Sequence, residues 1–406
     1  MTKNNHFSVF IIMLLLICPT QSGCQSKSAS TSTALVSEES AMLPAANLFD
    51  RYSDKLADKK VGVIANQTSL VGETHLVDFL LSKGIKVQRV FAPEHGFRGE
   101  AGPGDKVASG KDEKTGLPLV SLYGSHRKPE PKDLEGLDII VFDIQDVGAR
   151  FYTYISTLQL VMEACAEAGI PVMVLDRPNP NGFYVDGPVL DTAFSSFVGI
   201  SPIPIVHGLT MGEYAKMANG EGWMKNGVKC KLEVIAMEGY HHNMEYILPV
   251  RPSPNLPDMA SIYLYPSLCL FEGTVVSVGR GTPFPFRLIG YPGFKNGNEN
   301  FTPIEIAGVI KDPPHEGVPC KGIKLDTDWK SISANQVIEL SYLIDMYNSY
   351  PEKEKFFNNF FEKLAGNDQL KKQIISGMKE AEIRKTWEPS LENYKLKRKK
   401  YLLYDI

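Results

Sequence analysis

No G-x-G-x-x-G follows the first apolar run of this sequence and no phosphate-binding P-loop occurs anywhere, so a nucleotide cofactor is not expected. A G-x-S-x-G elbow is also missing, which argues against an α/β-hydrolase acting through serine. A catalytic metal needs histidines and carboxylates gathered as ligands. Here His95, His207 and the pair His241-His242 are scattered, and adjacent residues on an extended strand point to opposite faces, so no metal site is expected. Cysteine is scarce: six residues, no C-x-x-C, with Cys18 and Cys24 in the N-terminal segment and Cys165, Cys230, Cys269 and Cys320 far apart. That pattern suits buried free thiols and excludes a disulfide scaffold. Positive charge is not in excess either, since 43 Lys+Arg stand against 47 Asp+Glu. The one basic run, "KLKRKK" at 395–400, reads as the solvated face of a terminal helix, and no nucleic-acid partner is expected.

The N-terminus has a recognisable pattern. Lys3 precedes an apolar run from Phe7 to Cys18, followed by small and polar residues and then Cys24, which is the layout of a secretory signal and is short for a membrane span. "QSGC" resembles a relaxed lipobox, in which Cys24 becomes the acylated first residue of a lipoprotein; plain secretion is the alternative. Residues 1–24 are therefore expected to be a signal peptide and 25–58 a tether, Ser/Thr/Ala-rich as far as Ala46. The implied location is the cell envelope, with a membrane contact only through a lipid on Cys24.

A chain of 406 residues exceeds the roughly 250–300 that one core usually serves, so two domains are expected, 59–250 and 251–406. In the first, "VGVIA" (61–65), "VQRVFA" (87–92), "LPLVSLY" (117–123), "LDIIVFDI" (137–144), "PVMVLD" (171–176) and "KLEVIAM" (231–237) read as strands. Between them lie helical stretches, including Tyr154 to Ala168, where Ile155, Leu158, Met162 and Cys165 recur at helical spacing. Uniformly apolar strands alternating with helices predict an α/β fold with a Rossmann-like parallel sheet. "SPIPIVHGLTMGEYAKMANGEG" predicts a further strand, a turn and a helix, with Thr210 as N-cap and Glu213 at capping-box spacing. Beyond 250 a smaller α+β domain is expected, with short strands near "FEGTVVSVGRGTPFPF" (271–286) and a helical tail from about Asp368 to Tyr404.

Four polar loops each follow a predicted strand: "NQTS", "PEHGFRGE", "QDVGAR", "DRPNPNG". Open parallel sheets bind ligands outside the carboxyl ends of their strands, so these loops suggest one site carrying Arg98, Asp143, Arg150 and Asp176. Without serine, metal or nucleotide chemistry, carboxylates remain. Glu94 can project over the sheet edge as a proton donor, its pKa raised if burial against Phe97 or Tyr152 is sufficient; an ion pair with Arg98 is the plainer reading. Asp143, and Glu272 from the second domain, are candidate second groups for glycosidic-bond cleavage, although a cap or salt bridge would equally explain Glu272. Tyr152, Gln145, Asn179 and Asn255 suit a sugar, Tyr154 suits a sugar or helix packing, and Arg98, Arg150, Arg177 and Arg280 suit a substrate carboxylate.

"PEHGFRGE", "FDIQDVGARFYTYI", "DRPNPNG", "HGLTMGEYA", "PSPNLP" and "FEGTVVSVGRGTPFPF" occur in one order from about Lys59 onward. Together they resemble the NamZ-like exo-β-N-acetylmuramidases, long catalogued as a domain of unknown function. The resemblance implies a Rossmann-like domain and a smaller C-terminal domain with an active-site cleft between them. It implies release of terminal N-acetylmuramic acid from the non-reducing end of peptidoglycan fragments, with Glu94 as the catalytic residue. The lactyl carboxylate of that sugar gives the arginines a purpose, while His95 becomes a catalytic candidate that orients Glu94 or a water, with packing against backbone as the alternative, and His207 a candidate substrate-binding residue. A lipoprotein that binds muropeptides without cleaving them is the alternative; a phosphoesterase would require a metal.

Overall fold

Strands whose residues are apolar on both faces need helices on both faces, and the alternate side chains of this sheet enter two separate cores. Val61, Val63, Val141 and Met173 pack with Leu76, Val77 and Leu80, whereas Ile64, Ile140, Phe142, Val172 and Val174 pack with Ile155, Leu158, Met162 and Tyr214. The computed structural model describes residues 42–99, 109–325 and 328–406; the expected signal peptide, Cys24 and the tether up to residue 41 lie outside them. Six parallel strands, β1 (Lys60–Ala65), β2 (Lys86–Ala92), β3 (Pro118–Ser121), β4 (Ile139–Asp143), β5 (Val172–Leu175) and β6 (Leu232–Ile235), lie in the order β3-β2-β1-β4-β5-β6. A two-residue strand, Gly110–Lys111, pairs antiparallel on the outside of β3. The order reverses between β1 and β4, which is where a doubly wound sheet opens a crevice at its carboxyl edge.

Helix α1 (Leu76–Ser82) covers one face; α2 (Tyr154–Ala168) and α3 (Met211–Glu221) cover the other. The α2 limits match the periodicity, and Gly169, at φ 72°, ends it in the left-handed conformation. Thr210 and Glu213 cap α3 reciprocally, which accounts for Glu213 as a capping residue. Past β6, helix α4 (Met259–Leu268) is buried throughout, a small antiparallel sheet joins Leu288–Tyr291, Cys320–Lys324 and Glu299–Phe301, and helix α5 (Glu380–Arg398) runs back to the parallel sheet. There Tyr394 donates to His207 O at 2.7 Å, Arg398 Nε to Gly208 O at 3.0 Å and Tyr404 to Asp176 Oδ2 at 2.7 Å. The four cysteines of the described residues are free and buried, and no helix among those residues is long and apolar enough to cross a membrane.

Four expectations are corrected. The segment from Leu43 to Leu56 is packed rather than tethering: Ala45 N–H donates to Asp176 O at 3.0 Å, and Ala45, Ala46, Tyr52 and Leu56 enter the α1-side core. The stretch 201–207 forms only isolated bridges from Val206, because Pro202 and Pro204 remove the donors a strand needs. Residues 271–286 likewise hold a 3-10 turn (Cys269–Gly273) and bridges at Thr274 and Ser277, broken by Gly279 and Gly281 at φ 76° and 80° and by two prolines. Of the basic run, Arg398 is buried against a carbonyl instead of solvated.

The loop after β4 is interior. Gly148, at φ 78°, lies where a Cβ would come within 2.2 Å of Asn179 Oδ1, so only glycine fits. Arg150 is fully buried, donating from Nη1 to Pro188 O (2.9 Å) and Ile203 O (2.8 Å) and from Nη2 to Leu364 O (2.8 Å). Burial presses its pKa down, yet a guanidinium keeps its proton in proteins, and these carbonyls supply the compensation. Asp146 Oδ2 accepts from Gly148 N–H at 2.7 Å and faces His207 Nε2 at 3.8 Å. Leu209 N–H donates to His207 Nδ1, so the imidazole is neutral with its proton on Nε2; burial, and then Arg398 and Arg150, push its pKa down to about 3.

Burial raises Asp146 from its ordinary 3.8 to about 7, against the weaker pull of the Gly148 and Val147 amides. The folded protein thus holds this proton more tightly than the unfolded chain does. The associated stability is fully present below about pH 4 and is lost as pH rises through about 7. Between pH 5 and 8, urea unfolding of the wild type should therefore lose about 2–3 kcal/mol relative to Asp146→Asn, which keeps an acceptor for Gly148. Parallel pH profiles for the two proteins would refute this.

Candidate active site

After β2 the chain runs through Pro93 into Glu94 and His95, and the interior loop after β4 ends in Phe151–Tyr154, where α2 begins. From the C-terminal half come Ser253, Asn255, Leu256, Tyr265 of α4, Arg280 and Phe286; with the strand-end residues they line a cavity of about 100 Å³. The turn explains its own composition: His95 has φ 71°, Gly96 79° and Gly99 77°, a run of left-handed residues for which glycine is the ordinary choice. His95, buried and not a glycine, is kept there by a contact of 3.2 Å between its Nε2 and Ser253 Oγ.

Glu94 is partly exposed and is the sole carboxylate lining this cavity among the described residues. Thr153 Oγ1 donates to its Oε2 at 3.1 Å, and Tyr154 OH donates to its backbone carbonyl at 3.4 Å. Thr153 immediately precedes α2, so the carboxylate sits at the positive end of that helix. Opposite lies Arg280, with Nη2 2.6 Å from Glu272 Oε1 and its guanidinium 5.2 Å from the Phe286 ring centre. Burial opposes the arginine's charge, but Glu272 first, and then Tyr265, Cys269 and Glu94, more than offset it and raise its pKa. The wall is aromatic: Tyr152 meets Tyr154 edge-on at 4.9 Å and Tyr265 at 5.9 Å, and Tyr265 meets Phe286 at 4.9 Å. Tyr152 OH is engaged with Pro252 O at 2.8 Å.

Of the residues singled out in the sequence, Glu94, His95, Tyr152, Tyr154, Asn255 and Arg280 meet at this cavity, and Glu272 stands behind Arg280. The others are engaged elsewhere. Asp143 is fully buried with both carboxylate oxygens on Arg177, one at 2.8 Å, and Arg177 also donates to Leu70 O at 2.9 Å, so neither is available to a substrate. Gln145 donates to Asp146 O (2.8 Å) and Pro178 O (2.6 Å), and Asn179 to Leu209 O (2.8 Å). Asp176 accepts from Thr210, Gly212 and Tyr404, and burial lifts its pKa to about 6. Arg150 and His207 serve the interior loop described above. Arg98 pairs with Asp112 at 2.8 Å and with Asp78, not with Glu94. Thr153, Ser253, Tyr265 and Phe286 escaped the sequence reading; Thr153 and Ser253 lie inside the quoted motifs "FYTYI" and "PSPNLP", but only the fold places them beside Glu94.

Two features offer themselves as competing sites. A larger cavity of about 620 Å³, lined by residues including Arg251, Leu256, Asp258, Arg287 and Trp329, shares Leu256 with the first. None of its lining residues comes from a strand end of the parallel sheet, and Asp258 is tied to Arg287 at 2.8 Å. Among the described residues one group has metal-ligand geometry, His126, Glu130 and Asp133, and Asp133 there is taken up in capping Glu130 N–H and bonding His126.

Residues 61–260 match the family model for the N-terminal part of exo-β-N-acetylmuramidase NamZ, and residues 263–404 match the model for its C-terminal part. The chain is 41% identical over 379 residues to the peptidoglycan β-N-acetylmuramidase NamZ of Bacillus subtilis, covering 88% of this chain and 90% of that one. Two crystal structures of DUF1343 family proteins from Bacteroides fragilis superpose with TM-scores of 0.84 (44% identity) and 0.78 (27% identity). Each match covers 90% of this chain and 99% of the other.

Proposed function

This chain belongs to the exo-β-N-acetylmuramidase NamZ family, and from that premise we propose that it releases N-acetylmuramic acid from the non-reducing end of peptidoglycan fragments with Glu94 as proton donor. The observation that carries the assignment of Glu94 is its standing as the one carboxylate on the cavity wall among the described residues, with a guanidinium across from it. Breaking a glycosidic bond requires a proton for the departing oxygen. Thr153 occupies Oε2, which leaves Oε1 to carry that proton. Asp143 is sealed to Arg177 and Glu272 is spent on Arg280, so neither acts on the sugar directly; Glu272 positions the arginine.

Arg280 is suited to the lactyl carboxylate that distinguishes muramic acid from glucosamine. The N-terminal pattern supports export and a lipid on Cys24, which would hold the enzyme in the envelope, where peptidoglycan is.

Glu94→Gln should lower release of N-acetylmuramic acid from a chromogenic muramide by about 100- to 10,000-fold while leaving the unfolding midpoint unchanged; near-normal turnover removes Glu94 from the mechanism. Arg280→Gln should lower kcat/KM on the muramide about 10- to 100-fold more than on the matching glucosaminide; equal losses would mean that the arginine does not read the lactyl group. Cys24→Ser should move the protein from the membrane fraction to the soluble fraction of expressing cells, and an unchanged membrane fraction would defeat the lipid anchor.

A further inference from the structure

Two buried side-chain atoms of the residues that line the cavity have no partner, Arg280 Nε and Asn255 Oδ1, and the second is the acceptor. Asn255 is 2% exposed, and its side-chain nitrogen donates to Val309 O at 2.9 Å. Only the amide nitrogen can donate to a carbonyl, so this bond fixes which way the side chain is turned and leaves Oδ1 on the other side. That oxygen is buried and accepts no hydrogen bond. A buried acceptor without a donor costs stability, and Asn255 is one of the residues lining the cavity that Glu94 and Arg280 share.

A carbonyl-type oxygen accepts and never donates, so its complement is a ligand N–H or O–H. The surroundings choose between them. Leu256, Phe151, Tyr265 and Phe286 line the same cavity, giving apolar surface next to the acceptor. A hydroxyl has nothing to set against that surface, whereas an acetamido group presents an N–H and a methyl together. The cavity volume of about 100 Å³ suits such a substituent. We propose that Asn255 is a specificity-determining residue whose Oδ1 accepts the N–H of the 2-acetamido group of the terminal sugar. The inference rests on the hydrolase reading for the identity of that sugar, while the recognition it describes is a binding property and can be measured without turnover.

The test uses calorimetry on the full chain with two ligands, N-acetylmuramic acid and its analogue methylated on the amide nitrogen, which keeps the acyl group and lacks the donor. Wild type should bind N-acetylmuramic acid about 10- to 100-fold more tightly than the analogue. Asn255→Leu, close in volume and without an acceptor, should weaken the first ligand by about that factor, leave the second nearly unchanged, and so erase the preference. If Asn255→Leu does not fold, Asn255→Ala, which also removes the acceptor, is carried through the same two titrations and should likewise lose the preference. Equal affinity of wild type for both ligands, or an Asn255→Leu protein that retains the full preference, overturns the proposal. Turnover of a chromogenic muramide, measured alongside, keeps the two claims apart: loss of the hydrolase reading would appear as no product, with the preference for the N–H intact.

Discussion

Parallel strands end together, and the loops that leave them at the β1/β4 crevice are buried between the two halves of the chain. Buried loops have backbone groups that water cannot reach, so every carbonyl and amide in them needs a partner from the protein. This requirement governs the carboxyl edge of the sheet. Arg150 serves three carbonyls, Gln145 two, and Asp176 collects a hydroxyl, an amide and a phenol. Asp143 and Arg177 neutralise one another in the interior. Most of the polarity at this edge maintains the loops, and only what remains, Glu94, His95, Thr153 and the facing Asn255 and Arg280, opens into the cavity.

That division explains which parts were legible in the sequence. The strands and α2 could be read because burial on both faces leaves an unbroken apolar run and a helical face leaves a 3.6-residue period, and both signals are local. Glu94 was legible because a proline, a histidine and two glycines around it mark a shaped turn. Asp143, Arg150 and Asp176 were equally visible and were misplaced, because a charged residue after a strand looks the same whether it faces a ligand or a neighbouring carbonyl. The distinction is made by residues 34 to 228 positions away, such as Leu364 for Arg150, and no local pattern records it. Ser253 and Tyr265 were missed for the same reason: their chemistry is ordinary until the C-terminal half sets them beside the "EHG" turn.

Glu272 shows an intermediate case. Its expected salt bridge and its expected place near the chemistry are both present, joined through one partner: it holds Arg280 by a contact of 2.6 Å, and Arg280 faces the cavity. A carboxylate one layer back controls a cation in front, and that cation influences Glu94. Glu94 and Arg280 thus face the cavity while Glu272 lies behind the arginine.

The return of the last helix to the parallel sheet has a consequence for how the molecule is made. Tyr394, Arg398 and Tyr404 satisfy His207 O, Gly208 O and Asp176, groups that belong to loops completed more than 180 residues earlier in synthesis. Until those late residues emerge, the edge of the sheet is left with unmet carbonyls and a half-open core. Contacts of such long sequence separation slow the final closure of a fold. The sheet's carboxyl edge is therefore sealed only once the last residues of the chain are in place.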